Sequence, residues 1–453
     1  MLHNTIKIAY QAPLVVLPVF FDVPGYRIVE TLFNGEHTVV HRAVQNNDGK
    51  PVILKQLTSS FPDSGELARF SFGYEVLSKF DHPNIVKPVA WLGAYSKSRG
   101  SPVSTMVLED QHGIDLFNYL KTFPMGYLSV ETFLDIAIQL AEALSVIHYH
   151  QVIHKDLHPG NILVNPDTGL VQITDFGLAS LLSREQPTLI IPERIEGVLA
   201  YISPEQTGRM NRALDYRTDF YTLGITFYQL LTGHTPFKAN DALGMVHAHM
   251  AIQQQAIKTL REDVPPILSD IIDKLLNKTA EERYQSALGL RKDLEKIRNA
   301  VSTNKPVPEF PLGMDDISDR FQIPQKLYGR EVEVDLLMQR FFSAAGGKRQ
   351  MLAIAGYSGI GKSALVHEVH KPIAAYNGLF CSGKFDQFQK NVPYSALQTA
   401  LKTWLQHVLS LPQNRVVILR ERLLNSLGAN ARVLIDFMPA FEAVLGVLEE
   451  VAK

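Results

Sequence analysis

A chain of 453 residues is longer than one ordinary hydrophobic core organises, so at least two domains are expected. An apolar share of 46% against 20% charged residues places it among soluble globular proteins, and a net charge of −2 argues against nucleic acid or a membrane surface as partner. The single cysteine, Cys381, excludes an internal disulfide and suits a reducing, cytoplasmic setting.

Ile8 to Val23 is the most apolar N-terminal stretch, but Pro13 and Pro18 interrupt it and it falls short of the roughly 20 residues a membrane helix needs. No other window qualifies as a span, and residues 1–24 read as an extension. From Gly25 the pattern turns strand-like. Tyr26–Glu30 and Thr38–Ala43 flank the turn dipeptide Asn34-Gly35, and Asp48-Gly49 leads into Pro51–Leu57, which carries Lys55. Pro62–Phe80 reads as a helix, His82–Val86 as a return to strand, and Met106–Asp110 as a buried strand ending in a polar linker. Helices are expected at Leu116–Leu120, Thr132–His148, Asp219–Leu231, Leu268–Leu276 and Ala287–Ile297. Strands first and helices afterwards describe a small sheet-rich lobe on a larger helical one.

At their junction stands Val152-Ile153-His154-Lys155-Asp156-Leu157-His158-Pro159-Gly160-Asn161, followed by Asp175-Phe176-Gly177. Two carboxylates and an amide at these spacings describe phosphoryl transfer. Asp156 can accept the proton of an attacking hydroxyl, while Asn161 and Asp175 can hold Mg²⁺ on nucleotide phosphates. On these motifs, with Ser203-Pro204-Glu205, the buried-helix start Asp219-Phe220 and Glu282-Arg283-Tyr284, residues 25–300 resemble a eukaryotic-type Ser/Thr protein kinase domain. The resemblance implies ATP and Mg²⁺ as cofactors and a protein substrate. It also implies that Lys55 contacts the α/β-phosphates, that Gly35 belongs to the phosphate loop, that Glu109 lies at the adenine-binding hinge and that Asp115 meets the ribose. Arg283 would pair with Glu205.

Several positions depart from that family. Only Gly35 survives of the glycine-rich loop, with Phe33 and Thr38 at other glycine positions, so Cβ atoms intervene between backbone amides and phosphates. Gly73 stands where a helix glutamate would pair with Lys55. A carboxylate from Glu75 or Glu66 reaching Lys55 would restore the pair, and the lack of one would favour a nucleotide-binding scaffold. Lys155 replaces an arginine, and His158 replaces a lysine beside the transferring phosphate, which makes that charge dependent on pH. Val198 replaces a threonine whose hydroxyl orients the catalytic loop.

Residues 301–327, with Pro306, Pro308, Pro311 and Pro324, read as an exposed linker. A helix from Tyr328 to about Phe342, a buried strand at Gln350–Ala355 and a helix over Ser363–His370 then frame Gly356-Tyr357-Ser358-Gly359-Ile360-Gly361-Lys362-Ser363. This fits the P-loop pattern at every fixed position: Gly356, Gly361, Lys362 and Ser363, with Gly359 inside the turn. Its amides would cradle phosphates, Lys362 would reach the β/γ-phosphates and Ser363 would ligate Mg²⁺. With Tyr328-Gly329-Arg330-Glu331 upstream and Lys384-Phe385-Asp386 downstream, residues 328–453 resemble the start of the AAA/STAND-like ATPase of large bacterial signalling proteins. There a kinase precedes the ATPase, and sensor and histidine-kinase domains follow. Val433-Leu434-Ile435-Asp436 looks like a second acidic P-loop strand, but Pro439 and the lack of a neighbouring carboxylate make Asp436 a helix or loop residue. The ATPase is expected to be incomplete, with downstream signalling domains as partners.

Weaker candidates remain. His148, His150, His154 and His158 lack metal-ligand spacing, and His247 and His249 read as helix-surface residues. Ser183 and Thr188 are candidate phosphorylation sites. The expected architecture is an α+β bilobal protein-kinase-like domain followed by an α/β P-loop NTPase domain. The expected function is ATP-dependent Ser/Thr phosphorylation in signal transduction. A pseudokinase scaffold and a small-molecule phosphotransferase are the alternatives. The latter writes a similar His-x-Asp-Leu-His-Pro-Gly-Asn loop but lacks the Ser203–Glu205, Asp219 and Arg283 set.

Overall fold

The computed structural model describes residues 23–35, 37–58, 64–95, 102–181, 198–207, 214–239, 241–317, 329–357, 360–367, 369, 373, 380–383, 394–409 and 413–446. Five antiparallel strands open the chain: β1 (Tyr26–Asn34), β2 (Thr38–Gln45), β3 (Pro51–Leu57), β4 (Pro88–Tyr95) and β5 (Pro102–Glu109), in the order β1-β2-β3-β5-β4. The period of two along β3 divides its side chains between faces. Val52 and Leu54 join Ala43, Val107 and Val23 in a small core on one side. Lys55 therefore points to the opposite side, between Val40 and Met106 in register. Helix α1 (Ser64–Leu77) packs on that side, with Phe70, Val76 and Leu77 joining the main core.

His82–Val86, expected as a strand, does not form one. Ile85 makes an isolated bridge to Ile173, and Ile173 N–H donates to Asn84 O (2.9 Å). The bend at His82-Pro83-Asn84 leaves too few residues for a ladder before β4.

The second lobe is helical. After β6 (Ile114–Asp115) and α2 (Leu116–Lys121), helix α3 (Val130–Tyr149) starts at Ser129, whose hydroxyl accepts the Thr132 N–H (3.2 Å). Its inward positions Phe133, Leu134, Ala137, Leu140, Ala141 and Leu144 recur at helical spacing and are fully buried. Each buried leucine or phenylalanine contributes about 1.5–3 kcal/mol of apolar burial. Short strands β7 (Val152–Ile153), β8 (Ile162–Val164), β9 (Val171–Ile173) and β10 (Ser180–Leu181) carry the loops of the cleft. Helix α4 (Arg217–Thr232) is buried on nearly every side, as a central helix must be. It approaches α6 (Pro266–Leu275) so closely that a Cβ on Gly224 would lie 2.9 Å from Leu275 Cβ. Helices α5 (Ala242–Ala251) and α7 (Ala287–Ser302) complete the lobe.

Residues 305–317 differ from the exposed linker expected there. Val307, Phe310 and Leu312 pack on the lobe core, and Asp316 accepts the backbone N–H groups of Gln285 (2.8 Å) and Ser286 (2.7 Å) at the start of α7. The prolines set the backbone course without preventing apolar residues between them from docking. Residues 318–328 lie outside the described set.

Beyond them come α8 (Glu331–Ala345), α9 (Lys362–His367) and helices at Ser395–Leu409, Gln413–Leu427, Ala431–Phe437 and Glu442–Leu445. Leu405, Val408, Ile435, Phe441 and Leu445 form a separate core. The strand expected at Gln350–Ala355 is not formed: residues 351–357 carry no regular structure and Met351 is 96% exposed. A parallel strand needs neighbours, and among the described residues after 328 there is no strand to pair with.

Candidate active site

The loop between β7 and β8 holds Asp156 from three sides. Asp219, buried at the start of α4, accepts the N–H of Lys155 on Oδ1 (2.8 Å) and those of His154 (3.0 Å) and the His148 ring (2.9 Å) on Oδ2. Thr226, two turns on, donates its hydroxyl to Leu157 O (2.7 Å). Asn161 donates its amide to both Asp156 O (2.9 Å) and Asp156 Oδ2 (3.0 Å). His154 is fully buried against Phe176, and its Nδ1 accepts the Asp156 N–H (3.3 Å). Nε2 must then carry the proton shared with Thr174 O (3.1 Å), a neutral ring consistent with burial lowering its pKa. Burial opposes ionisation of Asp156, but the adjacent His158 holds its pKa below the ordinary value.

Asp175 stands across the cleft in left-handed backbone (φ 63°), with Oδ1 accepting the Gly177 N–H (3.3 Å) and Oδ2 2.7 Å from Lys55 Nζ. Burial opposes its charge, yet the Lys55 ammonium keeps its pKa lowered. No carboxylate on α1 replaces the missing glutamate. Glu66 faces His37 (3.3 Å) and Glu75 is exposed. Gly73 instead lies against the Asp175–Gly177 turn, where a Cβ would meet the Phe176 carbonyl carbon at 3.3 Å. A cleft lined by Lys55, Phe70, Gly73, Leu77, Met106 and Asp175 separates helix and sheet there.

His158 does not present a free cation. Its Nδ1 accepts the Gly160 N–H (3.0 Å), which leaves Nε2 to face Asp156 Oδ2 at 3.6 Å. Gly160 cannot be replaced cheaply, since a Cβ there would sit 2.8 Å from the His158 ring. Gly35 lies at the β1–β2 turn with its N–H on Thr38 O (3.0 Å), and the Phe33 ring covers it, 2.5 Å from where a Cβ would stand. Glu109 ends β5 with an exposed side chain. Asp115 caps α2, accepting the Asn118 N–H (2.9 Å) and side-chain amide (2.6 Å), so its carboxylate already has donors before any ribose arrives.

Glu205 and Arg283 form a buried bidentate pair (2.6 and 2.9 Å), supported by the Thr218 hydroxyl (2.8 Å). Burial disfavours the Glu205 charge, but Arg283 outweighs it and holds the pKa at about 2. Val198 is 43% exposed. Gly197, Ser183 and Thr188 lie outside the described residues.

In the second domain Lys362 Nζ donates to Gly356 O (2.8 Å) and Tyr357 O (2.7 Å), folding onto its own loop. Gly361 has φ 94°, a conformation that favours glycine. Gly359 and the Ser363 side chain lie outside the described set. Asp436 is helical and pairs with Arg432 (3.0 Å), as expected of a helix residue. His249 is a correction: it is buried rather than on a helix surface, bonding Tyr221 (3.2 Å) and Leu199 O (3.0 Å), with its pKa lowered to about 3 by burial. Among the described residues no helix is long and apolar enough to cross a membrane. Sequence reasoning missed Gln206, which links the Ser203 segment to Lys155, and Asp316; neither carries a motif of its own.

A five-stranded antiparallel lobe over a helical lobe, with Lys55, Asp156, Asn161 and Asp175 gathered between them, defines a protein-kinase fold. Residues 26–293 match the protein kinase domain family and residues 326–452 the AAA ATPase domain family. The chain belongs to the protein kinase family and carries an AAA ATPase domain after the kinase domain. It is 29% identical over 419 residues to hybrid signal transduction histidine kinase G of Dictyostelium discoideum, covering 73% of this chain and 12% of that protein. A probable serine/threonine-protein kinase of Clostridium perfringens is 32% identical over 276 residues (60% of this chain, 38% of that one). The serine/threonine-protein kinase PrkC of Bacillus subtilis is 28% identical over 281 residues (62% and 41%). The chain thus spans well under half the length of these relatives.

Proposed function

We propose that residues 25–300 catalyse transfer of the ATP γ-phosphoryl group to a serine or threonine hydroxyl of a protein substrate, in a signalling chain whose P-loop module binds a second nucleotide. The observation that carries this reading is the joint placement of Asp156, Asn161 and Asp175, with the Asn161 amide nitrogen spent on Asp156. That leaves Asn161 Oδ1 for a cation. One amide oxygen and one carboxylate fit a hard ion such as Mg²⁺, which when bound neutralises phosphate charge. Asp156 receives the hydroxyl proton, a role worth about 10²–10⁴ in rate. Lys55, now on Asp175, is placed to exchange that partner for phosphate oxygens. The buried Glu205–Arg283 pair supports a protein acceptor over a small molecule, because it seats the segment a peptide would lie on.

A second reading keeps one specific observation: Lys55 has no carboxylate from α1. Under it the lobe binds ATP as a scaffold without transfer. Labelling with Mg-ATP separates them. Wild type that labels no better than Asp156→Asn, with ATP still bound, would sink the kinase reading.

A further inference from the structure

Lys155, immediately before the proposed base, is a non-glycine residue with φ 71°, a region L-residues occupy only when neighbours enforce it. Two side chains do so. Asp219 Oδ1 takes the Lys155 N–H (2.8 Å), and Gln206 Nε2 donates to the Lys155 carbonyl (2.8 Å). That carbonyl belongs to the peptide whose nitrogen is the Asp156 N–H, so the Gln206 contact acts on the plane from which the base projects.

Gln206 is itself buried and tied. Its Oε1 accepts the Ser203 N–H (2.8 Å), and its own N–H donates to Ser203 O (3.1 Å). Its neighbour Glu205 is fixed by Arg283. Val198, in the same segment, has no side-chain donor or acceptor. The Gln206 amide makes a side-chain hydrogen bond that joins this segment to the Lys155–Asp156 peptide. We propose that Gln206 is a positioning residue for phosphotransfer, using both ends of its amide to make the attitude of Asp156 depend on the seating of residues 198–207. The inference rests on the kinase reading above.

The amide chemistry makes the requirement specific. Leucine would keep the volume and lose both bonds. An ionised glutamate could still accept from Ser203 but would face the Lys155 carbonyl with an acceptor, leaving two lone-pair atoms opposed. Both variants leave Lys55, Asn161 and Asp175 untouched.

The test uses the full chain with Mg-ATP and dephosphorylated casein, together with ATP affinity, thermal unfolding and hydrogen exchange of the peptide spanning residues 152–163. Gln206→Leu should lower kcat about 10-fold or more while ATP affinity stays within about 3-fold, since small misplacements of reacting groups are costly. Gln206→Glu should be worse, and residues 152–163 should exchange faster in both folded variants. Unchanged kcat in an active background overturns the inference, as does ATP affinity falling in step with kcat. If the wild type transfers no phosphate, the kinase reading fails by itself. The exchange measurement still decides the contact, because unchanged protection in Gln206→Leu would refute it without any turnover.

Discussion

Lys55 Nζ lies 2.7 Å from Asp175 Oδ2, so the lysine charge is met by the carboxylate proposed to hold the metal and not by one from the facing helix. Gly73 explains the arrangement. Without a side chain at that position, α1 rests directly on the Asp175–Gly177 turn and keeps Phe176 in the core beside Phe80 and His154. The lysine is therefore preorganised toward the turn.

Restoring the glutamate should harm this packing. Gly73→Glu forces a Cβ to 3.3 Å from the Phe176 carbonyl carbon before the rest of the side chain is placed. Overpacking of this kind costs about 1–3 kcal/mol. Urea denaturation should show that loss, and phosphotransfer should not rise. A variant as stable as wild type with higher turnover would mean that α1 can move away to admit the glutamate.

The Glu205–Arg283 pair should dominate acid sensitivity. Removing one partner of a buried pair leaves an uncompensated charge, so Glu205→Gln should cost about 3–5 kcal/mol. The folded pKa of about 2 lies below the ordinary 4.5. The charge thus stabilises fully above the unfolded value and is lost as pH falls from 4.5 toward 2. Stability curves of wild type and Glu205→Gln should converge across that window.

Lys278 runs the other way. Burial, and then the Arg283 charge, lower its pKa from 10.5 to about 7, and its ammonium lies over the Phe237 ring (4.2 Å) beside the Tyr221 hydroxyl (3.3 Å). The unfolded chain takes up a proton below 10.5 that the folded chain resists until about 7, so this residue reduces stability as pH falls through that range. Lys278→Met should raise the unfolding free energy most at pH 7 and below, by about 1–3 kcal/mol after allowance for partial exposure, and little near pH 11. An equal gain at both pH values would show that packing, not charge, controls the site.

Much of this was legible in the sequence, because it rests on local patterns. Alternation placed β3 and Lys55, helical spacing placed α3, and the short spacings around Asp156 and Asp175 placed the cleft. What escaped depends on contacts between distant segments. Nothing near His249 indicates that its ring would be buried and bonded to the Leu199 carbonyl, and nothing near Gln206 reveals Lys155 as its acceptor 51 positions away. The strand expected at Gln350–Ala355 had a suitable apolar run, but a run does not supply a neighbour.

One carboxylate ties residues 305–317 to the start of α7. Asp316 accepts from two backbone N–H groups and the Ser286 hydroxyl (2.9 Å) at the start of α7. Asp316→Ala should cost about 1–3 kcal/mol through the donors left buried. Limited proteolysis should then cut within 305–317 faster than in wild type. Unchanged cutting would show that Phe310 and its apolar neighbours hold the segment alone.

Binding and transfer measured on the same protein test the central claim most directly. Asp156→Asn removes the proposed proton acceptor while Lys55 and Asp175 remain, so ATP affinity should stay within about 3-fold while phosphate transfer to casein falls about 10²-fold or more. Wild type and Asp156→Asn transferring at the same rate, with ATP bound equally, would contradict the assignment of this cleft as a phosphotransfer site.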